Sequence, residues 1–335
     1  MALKPPVEVP QGAIRLNTDS QKLEFYAQDQ WWEMATEVAA PIGNRAVFCG
    51  GYASGAPAPK VTNTINYLSM TTGGLAVDFG DAVAANQDKA MLASRTRALI
   101  LDGSSNAIDY ITIATAGNAI AFGQSIHHNQ NRSNGLSSQV RGVFAGEQNA
   151  PTGSNAVDYS TIASLGNTID FGDLTAECMS PGTGASPTRG IITNITPSGY
   201  NGNIINYITI ASTGNAVDFG DTVNANETYK TAGSSNSVRM VDVGGGSPTP
   251  ELQVEFITIA TLGNGTDFGD LTTGTKSGGG GASSSIRAVI AGGADPATNI
   301  DELMFATGGQ AVKFGDLTYV ENRHGGGTSN CHGGI

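Results

Sequence analysis

Ile205-Asn-Tyr-Ile-Thr-Ile-Ala-Ser-Thr-Gly-Asn-Ala-Val-Asp-Phe-Gly-Asp221 reads as one β-hairpin. Along its first strand, Ile205, Tyr207, Thr209 and Ala211 fall on one face, and Asn206, Ile208, Ile210 and Ser212 on the other. Both faces carry apolar groups, so the strand is expected to be covered on both sides. Gly214-Asn215 reads as a tight-turn dipeptide, since both residue types tolerate positive φ. Ala216 to Phe219 then forms the return strand, and Gly220-Asp221 breaks it.

Five other stretches repeat this pattern. They pair Ile65-Asn-Tyr67 with Val77–Asp81, Ile108-Asp-Tyr110 with Ile120–Gln124, and Val157-Asp-Tyr159 with Ile169–Asp173. Val254-Glu-Phe256 goes with Thr266–Asp270, and Ile300-Asp-Glu302 with Val312–Asp316. The marker phenylalanines are Phe79, Phe122, Phe171, Phe219, Phe268 and Phe314, spaced 43, 49, 48, 49 and 46 residues apart. Several short strands in a unit of this length point to propeller blades. The expected fold is therefore all-β, a six-bladed β-propeller over residues 41–335. A partial seventh blade from the N-terminal strands is the alternative.

Composition agrees with strands and tight turns. Glycine is 46 of 335 residues, and only 14% of residues are charged, against usual shares of about 7% and about 25%. The net charge of −12 with no Lys/Arg cluster argues against binding nucleic-acid phosphates or anionic membranes. Three scattered cysteines, Cys49, Cys178 and Cys331, make no disulfide framework. Cys331-His332 near His324 lacks the C-x-x-C pair of a zinc site. Met1 to Pro6 has no apolar signal core and no 18-residue apolar run occurs, so a chain made in the cytoplasm without membrane insertion is expected.

Pro5, Pro6 and Pro10 make residues 1–12 an extended arm. Residues 13–40 differ from the repeats. A strand from Ala13, a polar turn at Asn17–Ser20, a second strand through Phe25-Tyr26 and a third at Gln30–Met34 suggest a small meander. Phe25, Tyr26, Trp31 and Trp32 are its attachment candidates, because an isolated hairpin is marginal in water and needs a surface to cover.

Each repeat opens with an arginine and a short apolar strand: Arg45, Arg97, Arg141, Arg189, Arg239 and Arg287. Small residues after them, as at Gly50-Gly51 and Gly292-Gly293, suit crowded inner strands. The polar Gly/Ser stretches after each marker, such as Thr272–Ser285, are expected as crossover loops. Gly325–Asn330 copies that stretch after the last repeat and could lend a strand to the first blade, removing open sheet edges.

The pattern Gly12-Ala-Ile-Arg-Leu-Asn-Thr-Asp, Lys-Leu-Glu-Phe-Tyr, Trp resembles short hairpin modules of tail-fibre and related structural proteins of bacteriophages. The repeats, best in residues 138–174 and 282–317, resemble Kelch-like repeats in structural proteins of marine bacteriophages, particularly cyanophages. That resemblance covers most of residues 41–335. It implies a virion structural protein, a tail or fibre component in multiple copies, with other virion subunits and a bacterial surface glycan or protein receptor as partners. The alternatives are a tail-associated glycan-degrading enzyme and a capsid or neck decoration protein; a non-viral intracellular interaction propeller is a further reading.

Chemistry-bearing motifs are few. The repeated Asp81, Asp173, Asp221, Asp270 and Asp316 read as structural, each carboxylate accepting backbone N–H groups in a turn; Gln124 at the equivalent position weakens a metal role. The leading arginines are expected to pair with Asp109, Asp158, Glu255 and Asp301. No nucleophile elbow, phosphate loop or His-Glu-x-x-His occurs, and His127-His128 lies in a polar stretch. No catalytic residue, cofactor or metal is expected.

Overall fold

The computed structural model describes residues 9–17, 22–33, 44–52, 61–128, 133–149, 152–196, 202–223, 232–244, 252–272, 279–292, 297–321 and 325–335. The chain divides into two compact units, Met1–Gly43 and Asn44–Ile335. The protein is all-β: the described residues contain no helix and form several antiparallel sheets.

Unit 1 is a three-stranded antiparallel sheet of β1 (Ile14–Asn17), β2 (Lys22–Ala27) and β3 (Gln30–Glu33), in that order. The β2–β3 connection is a two-residue turn at Gln28 and Asp29, with φ of 50° and 58°. Two left-handed residues match the twist of a hairpin. They need not be Asn-Gly here, because Gln11 accepts the Gln28 N–H and donates to the Asp29 carboxylate. The arm residues Pro5 and Pro6, and Met34 of the expected third strand, lie outside the described residues.

Unit 2 repeats one four-strand pattern. The strand headed by the arginine is the second of each repeat: Arg45–Cys49, Arg97–Leu101, Arg141–Ala145, Arg189–Thr196, Arg239–Val243 and Arg287–Ala291. It pairs with the third strand, which bears a tyrosine in the first four repeats: Thr64–Ser69, Ala107–Thr112, Thr152–Thr161, Ile204–Thr209, Gln253–Thr258 or Ala297–Met304. The marker strand is the fourth: Val77–Asp81, Ile120–Gln124, Ile169–Cys178, Val217–Asp221, Thr266–Asp270 and Val312–Glu321; of these, Ile169–Cys178 also pairs at its end with Arg189–Thr196, and Val312–Glu321 with Gly74–Leu75.

The innermost strands are not those headed by arginine. They are Ala90–Ala93, Asn134–Ser137, Thr183–Ala185, Ala232–Ser235, Gly280–Ser283 and Gly326–Ser329. Five of these lie in or beside stretches expected as loops. Small side chains are what the position demands: a Cβ on Gly233 would sit 2.0 Å from the Thr183 carbonyl oxygen, and one on Gly327 2.7 Å from Gly281 N. Glycine here serves close backbone approach rather than flexibility. The last of these strands pairs with the first arginine strand, Gly326 opposite Cys49 and Ser329 opposite Ala46.

Burial falls outward. The second strands are buried at four of five positions, for example Arg45–Cys49. In the third strand Ile205 and Asn206, on opposite faces, are both inaccessible, so that strand is covered on both sides. The outer strand buries little except its phenylalanine, and Val217 is half exposed.

The marker is a β-bulge. Ile205 pairs with Gly220 but Asn206 pairs with Asp218, leaving Phe219 as the extra residue. The same register shift falls at Phe79, Phe122, Phe171, Phe268 and Phe314. A bulge bends the strand and raises its local twist, and the marker's carbonyls still take hydrogen bonds from the next repeat. The bulge also turns the phenylalanine inward.

Gly214-Asn215 is not a tight hairpin turn. Only Gly214 has positive φ, and the two strands are joined by the longer loop 210–216, which reaches onto the preceding repeat. Gly117, Gly166, Gly214, Gly263 and Gly309 donate their N–H groups to the carbonyls of Phe79, Phe122, Phe171, Phe219 and Phe268 at 2.7–3.1 Å. Two residues on, Ala119, Thr168, Ala216, Gly265 and Ala311 donate to the carbonyls of Asp81, Gln124, Asp173, Asp221 and Asp270 at 2.8–2.9 Å. The last repeat meets the first in the same way, Ala76 N–H donating to Asp316 O at 2.8 Å.

This docking explains the glycine of the marker. Gly220 has φ +151°, and a Cβ there would lie 2.4 Å from the Gly263 carbonyl oxygen. Gly220→Ala is therefore expected to destabilise the fold by about 3 kcal/mol, through backbone strain and the displaced loop. Urea unfolding checks it; a loss below about 0.5 kcal/mol would show that the loop moves aside freely.

Candidate functional site

The six innermost strands line a cavity of about 40 Å³. Its wall includes Met91, Leu136, Ser137, Ser235, Ser283 and His332. Hydroxyl groups tie each strand to the next. Ser137 Oγ donates to Ala93 O at 2.7 Å, Thr183 Oγ1 to Gly135 O at 2.8 Å, Ser235 Oγ to Ala185 O at 2.9 Å and Ser283 Oγ to Ser235 O at 2.8 Å. Ser329 Oγ donates to Ser283 O. The volume accommodates a few waters and falls far below the roughly 300–1,000 Å³ of a typical small-molecule pocket.

The leading arginines do not pair with Asp109, Asp158, Glu255 and Asp301. Each guanidinium lies over an aromatic ring: Arg45, Arg97, Arg141 and Arg189 over Tyr67, Tyr110, Tyr159 and Tyr207 at 4.2–4.7 Å, and Arg239 over Phe256 at 4.9 Å. Their Nη1 atoms donate to carbonyls one repeat further on, Ile113, Ile162, Ile210, Ile259 and Phe305, at 2.6–2.9 Å. A planar donor fork stacked on a ring suits this bridging role. Arg287 departs from it: Glu302 replaces the tyrosine and takes its Nη1 at 2.7 Å, leaving the ring of Phe314 at 5.0 Å from the guanidinium.

The second-position polar residues are buried joints between repeats. Asn66 Oδ1 accepts from Thr318 Oγ1, Asp109 from Val83 N–H, Asp158 from Ser125 Oγ, Asn206 from Thr175 N–H, Glu255 from Val223 N–H and Asp301 from Thr272 Oγ1. An amide serves as well as a carboxylate, because the position needs only an acceptor. Burial pushes the Asp109 carboxyl above its ordinary range, against the Val83 hydrogen bond and the Lys89 charge.

Phe79, Phe122, Phe171, Phe219 and Phe268 are buried. They meet Tyr67, Tyr110, Tyr159, Tyr207 and Phe256 edge to face, with centroids 5.5–6.2 Å apart. Phe314 is partly buried. Asp81, Asp173 and Asp221 join repeats through backbone groups: their N–H groups donate to Asn118, Asn215 and Asn264 Oδ1, as Gln124 N–H does to Asn167. Gln124 can replace aspartate because the shared contacts are made by the main chain. The earlier acid of the marker makes the local side-chain bond, Asp78 and Asp267 accepting from Gly80 and Gly269 N–H. Asp270 accepts from Gln310, and Lys313 holds Asp316 below its ordinary carboxyl range.

The histidines have separate settings. His128 is fully buried, its Nε2 3.2 Å from Phe144 O and 3.4 Å from Asp158 Oδ1; it is not a loop side chain in solvent. His127 is partly exposed, 3.5 Å from Asp170. His332 lies against the central cavity, and His324 is outside the described residues. Among the described residues no group of three His, Cys, Asp or Glu could hold a metal ion. The three cysteines are free thiols. No described helix is long and apolar enough to cross a membrane.

In unit 1, Trp31 meets Tyr26 edge-on at 5.3 Å, and Arg15 lies 4.1 Å over the Trp31 ring while its Nε bonds Glu24 at 2.7 Å. The backbone pairs Phe25 with Ile14 and with Trp32; the Phe25 and Trp32 side chains lie outside the described residues. One buried pair escaped sequence reasoning: Lys89 Nζ, fully buried, sits 2.8 Å from Asp102 Oδ1. The available signal was a lysine directly before the apolar run Ala90–Ala93.

No protein-family model matches this chain, and no curated protein matches it at a significant level.

Proposed function

We propose that unit 2 is a six-bladed Kelch-like β-propeller and that the protein is a structural component of a bacteriophage virion, a tail or fibre part that binds neighbouring subunits and a host-surface glycan or protein. The supporting observation is the regular use of repeated polar side chains and backbone groups to join one repeat to the next, including Thr318 to Asn66 and Ala76 to Asp316 between the last and the first. In this reading each four-strand repeat is a blade, and the final short strand, paired with the first arginine strand, ties the ends.

A rigid scaffold that spends its polar groups on its own joints leaves recognition to loops. Binding then proceeds by surface complementarity, with no covalent chemistry, cofactor or nucleic acid. Unit 1, with Tyr26 and Trp31 beside Arg15, is the attachment module; aromatic and arginine side chains are favoured anchors at protein interfaces.

Antibody-gold electron microscopy of purified phage, with antibody against residues 41–335, tests the proposal. Label at the tail tip or fibres is the expected result, followed by blocked adsorption. Label on the head or neck would replace host contact with decoration. Absence of label from the particles would overturn the virion assignment.

A further inference from the structure

Residues 331–335 fold back onto the inner strands of their own chain. They cross the ends of the inner strands at one mouth of the central cavity. Cys331 Sγ donates to Ser283 O at 3.3 Å, and Gly333 N–H donates to Ser235 O at 2.7 Å. His332 Nε2 lies 2.8 Å from Ala93 O and 3.2 Å from Ser137 Oγ, and its Nδ1 accepts Gly334 N–H at 3.1 Å. The approach is close. A Cβ on Gly333 would meet Asn236 O at 2.2 Å, and one on Gly334 would meet Ser137 O at 1.7 Å.

These contacts assign the tautomer. A carbonyl partner requires a proton on Nε2, and an N–H partner requires Nδ1 to be an acceptor, so His332 is neutral here. Protonating Nδ1 would destroy the Gly334 bond and place an imidazolium in a partly buried site. Burial pushes His332 basicity below its ordinary value, opposed by the bond to Ala93 O. Among the described residues the ring's hydrogen-bond partners are uncharged: Ala93, Ser137 and Gly334. Arg45, Arg97 and Arg141, heading the neighbouring strands, carry their guanidinium groups to Tyr67, Tyr110 and Tyr159. Arg95, in the turn after Ala93, is exposed. Cys331, the other titratable side chain of the segment, has its thiol pushed up to about 11 by burial.

We propose that residues 331–335 are an acid-releasable plug, which seals the hydroxyl-lined cavity while His332 is neutral and leaves it when the imidazole takes up a proton. The sign follows from linkage. In the released segment His332 titrates near its ordinary value of about 6.5. Above that pH neither form binds the proton, and release is independent of pH. Below it only the released form does, so the release constant rises by up to about tenfold per pH unit until the seated imidazole also titrates.

Cys331 reports the opening. The full chain is labelled with 4,4′-dithiodipyridine from pH 8 to 5, each cysteine is read by mass spectrometry, and a peptide of residues 326–335 supplies the unprotected rate. Protection of Cys331 should be constant above about pH 6.5 and fall by up to about tenfold per unit below it. The buried Cys49 and Cys178 should stay unlabelled. His332→Gln should abolish the slope, whatever its baseline. A flat wild-type profile, a slope retained in His332→Gln, or Cys49 and Cys178 labelling in step with Cys331 would overturn the plug.

Discussion

Phe219→Ala is expected to destabilise unit 2 by about 3–5 kcal/mol, the usual cost of emptying a phenylalanine site in a packed core. Phe219 is only 4% exposed and belongs to a buried cluster with Ile191, Ile205, Met240, Ile257 and Ile259. These residues come from two adjacent repeats, so the ring fills an interface that backbone bonds alone cannot fill. Its edge contact with Tyr207, centroids 6.0 Å apart, adds about 0.5–1.5 kcal/mol beyond area burial. Phe314→Ala is the internal control. Phe314 is only partly buried and its repeat has Glu302 where the other repeats have an aromatic residue, so its loss should cost about half as much. Chemical denaturation of both variants decides the matter. A Phe219→Ala loss under about 1 kcal/mol would show that the marker does not anchor the packing.

Lys89→Met should cost about 3–5 kcal/mol, because it strands a buried carboxylate. Asp102 Oδ1 is 2.8 Å from Lys89 Nζ, and the same carboxylate receives Asn86 Nδ2 and Ser105 Oγ. Replacing both partners with apolar residues should recover most of the loss, since the desolvation cost goes with the charges. Acid separates the two proteins. Burial works to raise the Asp102 carboxyl, but Lys89, Asn86 and Ser105 together hold it below its ordinary value. Its stabilising contribution is present above about pH 4 and is lost as pH falls through the lowered native value. Without the lysine, burial is opposed only by neutral hydrogen bonds, so the penalty of Lys89→Met should shrink as pH falls through about 4. A variant penalty that does not change between about pH 7 and about pH 3 would contradict the buried-pair account.

The residues differ in how far local reasoning reaches them. Phe219 was legible as a marker because it recurs with a regular neighbourhood, and recurrence reports a shared packing role. Asp221 was expected to act through its carboxylate. The carboxylate was the conspicuous group, whereas the main chain carries the joint, and main-chain roles leave little trace in residue identity. Arg189 shows the same limit. A buried acid such as Glu255 is the obvious partner on charge, yet Arg189 lies over Tyr207 and donates to Ile259 O. That partner is 70 residues away, and a carbonyl has no sequence signature.

By itself the sequence determined the β class, the six repeats, the hairpin in each, and the separate strands of residues 13–40. These follow from period-two alternation and from self-similarity, both local properties of the chain. The tertiary structure alone decided that Gly280–Ser283 is an inner strand, that Gly214-Asn215 docks on the repeat before it, that Phe219 is a bulge, and that residues 331–335 close a cavity. Each of these depends on how near another backbone comes. Glycine permits a flexible loop and a crowded strand equally well, and only the position of the neighbouring chain selects between them.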